Sequence, residues 1–248
     1  MTRRRLASAA GLAAFLILWE AIALSGWVAP ALLPPPTILP ARFVSEIRLG
    51  VWPAVVLASL HHYLIGLAVG STTGVAMGAA VALFPRLDAA QAWLALLLRP
   101  IPPLAWIPFA IIWFGISEAA AGFIIAIGIF WINYFTAYTA VRGVDKDLIE
   151  LATAFGHGSL LARLRKVILP GAAPVVLSGL RAGIGQGWMT VVAAELFGIA
   201  GIGQRMMEAA GLLATGVVIV YMLTIAGLYA ASDALFMLAQ RRLLQWQR

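Results

Sequence analysis

The 248-residue chain contains no cysteine. This absence excludes a disulfide framework, a cysteine-based metal site and a thiol nucleophile. Charge is also scarce, because charged residues make up only 11% of the chain, whereas a soluble domain of ordinary composition carries about 25%. Hydrophobic residues account for 62%. The composition therefore favours a protein embedded in a membrane.

Familiar catalytic motifs are missing as well. The sequence has no His-Glu-x-x-His zinc motif, no Gly-x-Ser-x-Gly elbow and no Gly-x-x-x-x-Gly-Lys-Ser/Thr loop. It therefore predicts no catalytic residue, no metal site and no cofactor bound by this chain. His61 and His62 are adjacent, and neighbouring side chains on a helix point in different directions. They are interpreted as interfacial polar residues and not as a shared metal site.

Six apolar segments are long enough to cross a bilayer, which takes about 20 residues. They predict an all-α integral membrane protein with about six transmembrane helices in a single domain, residues 1–248. The predicted spans are residues 7–28, 53–84, 89–114, 121–141, 175–197 and 217–238. Prolines interrupt the third span. Four glycines at four-residue spacing on the second span predict close helix packing: Gly66, Gly70, Gly74 and Gly78.

The basic residues are distributed unevenly between the two sides of these spans. With the N-terminus inside, twelve lie in cytoplasmic segments, namely Arg3, Arg4, Arg5, Arg86, Arg142, Lys146, Arg163, Arg165, Lys166, Arg241, Arg242 and Arg248. Only Arg42, Arg48 and Arg205 lie outside. This excess predicts that both termini and residues 142–174 face the cytoplasm. Because the basic residues flank apolar segments, the predicted partner is the lipid bilayer and not nucleic acid.

The polar segment between the fourth and fifth spans has the pattern of two short helices. Asp147 and Glu150 lie near the start of a helical stretch, where acidic groups are favourable. Two glycines follow, and Ser159 can cap a second helix. Pro170 and Pro174 are predicted to end that helix before the next span. Such a compact segment fits a groove of another protein, and the alternative is a solvated amphipathic connector.

The pattern Glu150-x-Ala152-x-x-x-Gly156, followed by Leu169-Pro170, resembles the EAA loop of ABC-importer permeases. Five further segments resemble the taurine, aliphatic sulfonate and nitrate branch of the binding-protein-dependent permeases: residues 33–36, 99–108, 112–116, 179–185 and 192–195. Two departures from the family pattern occur. Leu151 replaces a small residue, and the spacing from Gly156 to the proline is one residue longer, which Gly158 is expected to absorb.

The resemblance implies the type I ABC-importer permease fold with a cytoplasmic two-helix coupling loop, residues 142–174, in a multi-pass protein of a bacterial inner membrane. It implies a partner ATPase that binds ATP-Mg, an external solute-binding protein and a second permease copy, in a homodimer. The coupling positions carried over are Glu150, Ala152, Gly156, Leu169 and Pro170, and Asp147, near the start of the same helical stretch, is a further candidate for ATPase coupling. The implied solute is a sulfonate, taurine or a related small anion, and nitrate or an organic vitamin precursor is the alternative within the class.

Charged and aromatic residues within or near the spans are candidates for the solute pathway, because charge at membrane depth is costly and marks a pathway or a buried pair. The candidates are Arg99, Pro102, Pro103, Trp106, Arg181, Trp188 and Glu195. In the alternative interpretation, Arg99 and Arg181 reach the cytoplasmic interface or bond to helix carbonyls, and Trp188 serves helix packing. A self-contained secondary transporter is the alternative function, although the spans show no evident duplicated half.

Overall fold

The computed structural model describes residues 2–243, which form α-helices joined by short turns, with no strand among them. The α-helices are α1 (Thr2–Leu24), α2 (Leu39–Arg48), α3 (Val51–Leu83), α4 (Pro85–Leu98), α5 (Ile107–Phe114), α6 (Glu118–Arg142), α7 (Lys146–Ala154), α8 (Leu160–Arg163), α9 (Leu169–Glu195), α10 (Ile202–Gly211) and α11 (Thr215–Leu243). Short 3-10 helices cover Pro36–Ile38 and Pro103–Trp106. A π-helical turn, Leu164–Ile168, joins α8 to α9.

Five helical segments are long and apolar enough to cross a membrane, and the predicted all-α membrane fold is confirmed. They are Leu6–Leu24, Val51–Leu83, Glu118–Arg142, Leu160–Glu195 and Thr215–Arg242. The predicted third span, residues 89–114, is not one straight helix. Its two halves, α4 and Pro103–Phe114, meet at an angle of 94°. The bend follows from the local sequence, because Pro100, Pro102 and Pro103 lack backbone donors and restrict the residues before them.

The first predicted span, residues 7–28, also ends early. Helix α1 stops at Leu24, and Gly26 then adopts a positive φ of 78°, which glycine reaches without steric cost. Arg248, one of the cytoplasmic residues predicted from the charge distribution, lies outside the described residues.

Helices α3, α6 and α9 form the centre of the molecule. The glycines of α3 lie directly against the backbone of α6, which confirms the predicted close packing. A Cβ added at Gly70 would lie 2.5 Å from the carbonyl oxygen of Ala126, and one at Gly74 would lie 2.7 Å from that of Phe130. Beside this contact, Trp188 of α9 stacks on Tyr63 of α3, with 4.3 Å between ring centroids.

The bundle has two ends, named here by the short helices that they carry. At the α7 end, Arg142 Nη1 donates to Asp88 Oδ2 over 2.7 Å and joins α6 to α4. At the α10 end, Glu46 accepts hydrogen bonds from Arg205 and from the hydroxyl of Tyr221. This buried carboxylate therefore joins α2, α10 and α11.

The prediction that Pro170 and Pro174 end the second short helix is wrong. Helical structure continues without interruption from Leu160 to Glu195, with Pro170 in the first turn of α9 and Pro174 inside it. The π-helical turn precedes Pro170, and its wider backbone spiral reduces the clash between the proline ring and the carbonyl one turn earlier. A π turn also contains one more residue than an α turn.

Candidate coupling segment and transport cavity

Helix α7 begins and ends with well-formed caps. The carboxylate of Asp145 accepts from the backbone N–H of Asp147 over 2.9 Å. At the other end, Gly156 has a φ of 82°, and the N–H of His157 donates to the carbonyl of Ala152 over 2.9 Å. The N–H of Gly156 donates to the carbonyl of Thr153 over 3.1 Å. These two hydrogen bonds form a Schellman motif. Ala152 supplies an acceptor for it, and Gly156 supplies the positive φ that ends the helix.

Helix α7 exposes an apolar face. Leu148, Leu151 and Phe155 are 51%, 54% and 74% exposed, and their spacing places them on one side of the helix. Leu151, which departs from the family pattern, belongs to this face. The opposite side is anchored, because Ile149 packs against a buried cluster that contains Ile168.

The four remaining predicted coupling residues are exposed. Asp147 and Glu150 lie on α7, and neither side chain makes a hydrogen bond or an ion pair within residues 2–243. Ser159 caps α8 as predicted and accepts from the N–H of Ala162 over 3.3 Å. Leu169 and Pro170 are exposed at the start of α9. They directly follow Ile168, which belongs to the buried cluster that anchors α7.

Arg99 lies at the break after α4 and lines a cavity of about 400 Å³. Its guanidinium carbon is 4.5 Å from the centroid of the Phe135 ring on α6, within the range of a cation–π contact. The cavity is otherwise mostly apolar, and its other lining residues are Pro100, Ile101, Pro102, Pro103, Ile127, Gly128, Trp131, Ile132, Thr136 and Gln186. Arg99, Pro102 and Pro103 are therefore brought together in one cavity.

Trp106 ends the 3-10 helix that follows the cavity-lining prolines. It does not line the cavity. Its indole nitrogen is buried, and it has no hydrogen-bond partner among the described residues. Buried donors of this kind are uncommon in folded proteins.

Arg181 is paired. Its Nε donates to Asp233 Oδ1 over 2.6 Å and its Nη2 donates to Oδ2 over 2.8 Å. This bidentate pair joins α9 to α11. Charge-assisted pairs of this geometry are among the stronger hydrogen bonds in proteins, so the contact holds the two spans in register.

Trp188 and Glu195 lie in the protein interior. Trp188 is buried against Tyr63 and donates from Nε1 to Ser232 Oγ over 3.2 Å. Glu195 is fully buried. Its carboxylate accepts from Ser59 Oγ and from the N–H of Gly203, each over 2.9 Å.

The two adjacent histidines have different environments. His61 is exposed and lies 3.4 Å from Glu118, so the interfacial interpretation fits it. For His62 that interpretation is wrong, because its ring is buried and its Nδ1 lies 2.9 Å from Glu195 Oε1. Sequence reasoning treated the pair as one feature, although residues one apart on a helix face different neighbours.

Several residues of these sites were not singled out from the sequence. Phe135 and Gln186 in the cavity, Asp233 beside Arg181, and Ser59 beside Glu195 had no assigned role. For Gln186, Asp233 and Ser59 a sequence signal was present, because polar residues inside apolar spans face the protein interior in most membrane proteins. The partner that each of them meets depends on helix packing.

Comparison with known proteins agrees with this architecture. Residues 70–248 match the family described as binding-protein-dependent transport system inner membrane component. The chain is 33% identical to the taurine transport system permease protein TauC of Escherichia coli, over 99% of this chain and 91% of the relative. It is 30% identical to the putative aliphatic sulfonates transport permease protein SsuC of Bacillus subtilis, over 95% and 85%.

Two further comparisons extend the set. The bicarbonate transport system permease protein CmpB of Synechococcus elongatus is 33% identical over 78% of this chain and 73% of its own length. A chain of the inward-facing MetNI methionine ABC transporter superposes with a TM-score of 0.60 at 19% identity, covering 79% of this chain and 97% of that chain. The chain thus belongs to the binding-protein-dependent inner membrane components, as an ABC-importer permease of the taurine, aliphatic sulfonate and nitrate branch.

Proposed function

We propose that this chain forms the solute pathway of an ATP-driven importer and is coupled through residues 145–170 to a separate ATPase that binds ATP-Mg. The observation that carries the proposal is the exposed apolar face of α7, formed by Leu148, Leu151 and Phe155. Helix α7 has nine residues, too few to cross a bilayer. Asp147 and Glu150 flank the apolar face, and this mixture suits a groove in a soluble protein better than lipid.

The transported solute is proposed to be a sulfonate, taurine or a related small anion. The relatives named for taurine, aliphatic sulfonates and bicarbonate support this class, since each of these solutes carries a small oxyanion group. An external solute-binding protein delivers the solute, and a second copy of this chain completes the pathway. Both termini and α7 face the cytoplasm, in agreement with the charge distribution.

Coupling in this proposal is mechanical. Closure of the ATPase pair displaces α7, and the bundle then switches between inward- and outward-facing arrangements as a rigid body. Helix α7 can transmit such a displacement because Ile149 packs on the cluster formed by Ala140, Val144 and Ile168. A flexible connector without this anchor would absorb the movement.

The test is co-purification of the ATPase with the tagged full chain in mild detergent. Phe155→Asp places a charge on the exposed face without disturbing a buried contact, and it should remove the ATPase and abolish uptake. Leu212→Asp is the matched control, because Leu212 is 78% exposed at the opposite end of the bundle. The control should retain the ATPase.

Full ATPase retention by the Phe155 variant would contradict docking through α7. Uptake should also stop when ATP is depleted and persist when the proton gradient is collapsed. The opposite pattern favours the secondary transporter.

A further inference from the structure

The half of the bundle nearer α7 contains a positive charge without a carboxylate partner. Arg99 stacks one face of its guanidinium on Phe135. Stacking does not use the N–H donors, which lie in the guanidinium plane. These donors make no hydrogen bond or ion pair with any residue from 2 to 243. The ring therefore fixes the position of the group while its donors stay available to a ligand.

The charge lies beside a membrane-spanning helix and away from the end of that helix. Phe135 is seven residues before Arg142, the last residue of α6. At 1.5 Å per residue the ring is about 10 Å inside the α7 end of this span. A charge at such depth is costly unless it is paired.

Among the described residues, no acidic side chain pairs with Arg99. All ten of its acidic residues are within the described range. Seven contact other partners: Glu20 with Thr37, Glu46 and Glu208 with Arg205, Asp88 with Arg142, Glu118 with His61, Glu195 with His62, and Asp233 with Arg181. The other three, Asp145, Asp147 and Glu150, lie at the α7 end. A second copy of this chain would add only the same ten acidic side chains.

We infer that the Arg99 cavity binds one small, singly charged oxyanion from solution. The inference rests on the proposed function and names the place where the solute pauses within the membrane. The cavity of about 400 Å³ has the size of a small-ligand site and contains one cationic side chain. One guanidinium neutralises one negative charge, so a dianion or dicarboxylate would retain an unpaired charge in an apolar surrounding.

Two neutral polar side chains complete the site. Gln186 of α9 and Thr136 of α6 line the cavity opposite an otherwise apolar wall. The Thr136 hydroxyl already donates to the carbonyl of Ile132 over 2.7 Å, whereas the Gln186 amide makes only a long 3.4 Å contact with Thr190. The Gln186 amide is thus the second donor for an oxyanion. An acidic lipid headgroup belongs to the interface, about 10 Å away from this depth.

The absence of cysteine allows a direct test in the purified full chain. Ile132→Cys introduces one thiol at the cavity wall, and its reaction rate is measured with two methanethiosulfonate reagents, one bearing a sulfonate and one a trimethylammonium group. The ratio of the anionic to the cationic rate reports the local charge. Arg99→Gln should lower this ratio by about tenfold or more, because it removes a unit charge close to the thiol.

Ser45→Cys is the reference thiol, because Ser45 lies on α2 at the other end of the bundle. Its rate ratio should not respond to Arg99→Gln. Methanesulfonate should protect the thiol at position 132 when Arg99 is present and give no protection in the Arg99→Gln variant. Arg99→Lys should retain most of the charge effect and lose part of the protection, since an ammonium lacks the planar donor pattern.

The inference is overturned if the ratio at position 132 does not change with Arg99→Gln, or if methanesulfonate gives no protection. If sulfate protects the thiol at position 132 as strongly as methanesulfonate does, the inference is also overturned. The same holds if phosphatidylglycerol protects this thiol and methanesulfonate does not. The assay contains neither ATP nor ATPase. Failure of docking through α7 therefore leaves its result unaffected, and the two proposals can fail separately.

Discussion

Glu195 and His62 form a buried contact between α9 and α3, with 2.9 Å between Oε1 and Nδ1. The carboxylate also accepts from the N–H of Gly203 at the start of α10, and the N–H of the neighbouring Ile202 donates to Ser59 Oγ. The start of α10 is thus held by the same side chains that join the two spans. One carboxylate fixes three helices at this end of the bundle.

Removal of this carboxylate should destabilise the protein strongly. Glu195→Ala leaves the donors of Ser59 and Gly203 without an acceptor and His62 Nδ1 without its partner, and each unsatisfied buried polar group costs about 1–3 kcal/mol. The thermal midpoint of the detergent-solubilised protein should therefore fall by more than in any surface variant. The midpoint of Glu195→Gln should lie between those of the wild type and Glu195→Ala. Glu208→Ala is the control, since that side chain is 52% exposed in the same region. Equal midpoints for the two alanine variants would contradict this role.

The Glu46 contact predicts a specific pH dependence. Hydrogen bonds from Arg205 lower the pKa of Glu46, while burial opposes the shift and the Tyr221 hydroxyl adds to it. A carboxyl group with a lowered pKa in the folded state stabilises the fold at neutral pH, above its ordinary pKa of about 4.3. This contribution disappears as the pH falls through the lowered pKa of the folded state.

Glu46→Gln should therefore cost about 2 kcal/mol at pH 7, as expected for hydrogen bonds to a charged group. The difference between wild type and variant should shrink as the pH falls below about 4.3, the ordinary pKa of a glutamate, and on through the lowered pKa of the folded state. Thermal midpoints across this range and up to neutral pH in detergent provide the measurement. Glu208→Gln serves as control, because it contacts the same arginine from an exposed position. Parallel curves for wild type and Glu46→Gln would contradict the pH dependence, and coincident curves would show that this contact does not stabilise the fold.

The glycines of α3 should tolerate no methyl group. A Cβ at Gly78 would overlap the backbone carbonyl of Tyr134, and a backbone cannot rotate away as a side chain can. Gly78→Ala is expected to cost about 1–3 kcal/mol through overpacking. Gly227→Ala, on α11 with no atom within 4 Å of the added Cβ, should be neutral or slightly stabilising. The yield of monodisperse protein and its thermal midpoint would distinguish the two variants, and similar values would refute the close approach of α3 and α6.

The pair between Arg181 and Asp233 should behave as one structural unit. Arg181→Gln and Asp233→Asn should each lower the thermal midpoint, and the double variant should lose less than the sum of the two, because each single change leaves a partner unpaired. A double-mutant cycle measures this coupling. Additive losses, or a transport defect of Arg181→Gln with an unchanged midpoint, would favour a pathway role for the arginine.

The sequence predicted the helical membrane fold because span length and hydropathy are local properties. It also located the turn after α7, since Gly156 adopts the positive φ that ends that helix. It did not predict the end of the second short helix correctly. The proline rule used there applies to a regular α-helix, and the π turn at Leu164–Ile168 changes the backbone to which the rule is applied.

Long-range partners could not be predicted in the same way. Arg181 meets Asp233 across 52 residues, and His62 meets Glu195 across 133. Helical periodicity indicates which face of a span a residue occupies, but not which neighbouring span that face meets. The same limit applies to the Arg99 cavity, where the prolines marked the break but gave no indication of Phe135 as the ring beneath the guanidinium.

The uninterrupted helical segment from Leu160 to Glu195 has 36 residues and is about 54 Å long. Its first residue follows α7 after a short connection, and its other end holds the start of α10 through Glu195. One unbroken helical segment therefore links the α7 end of the bundle to the α10 end. Under the proposed docking at α7, a displacement of that helix would reach the opposite membrane surface along a single element.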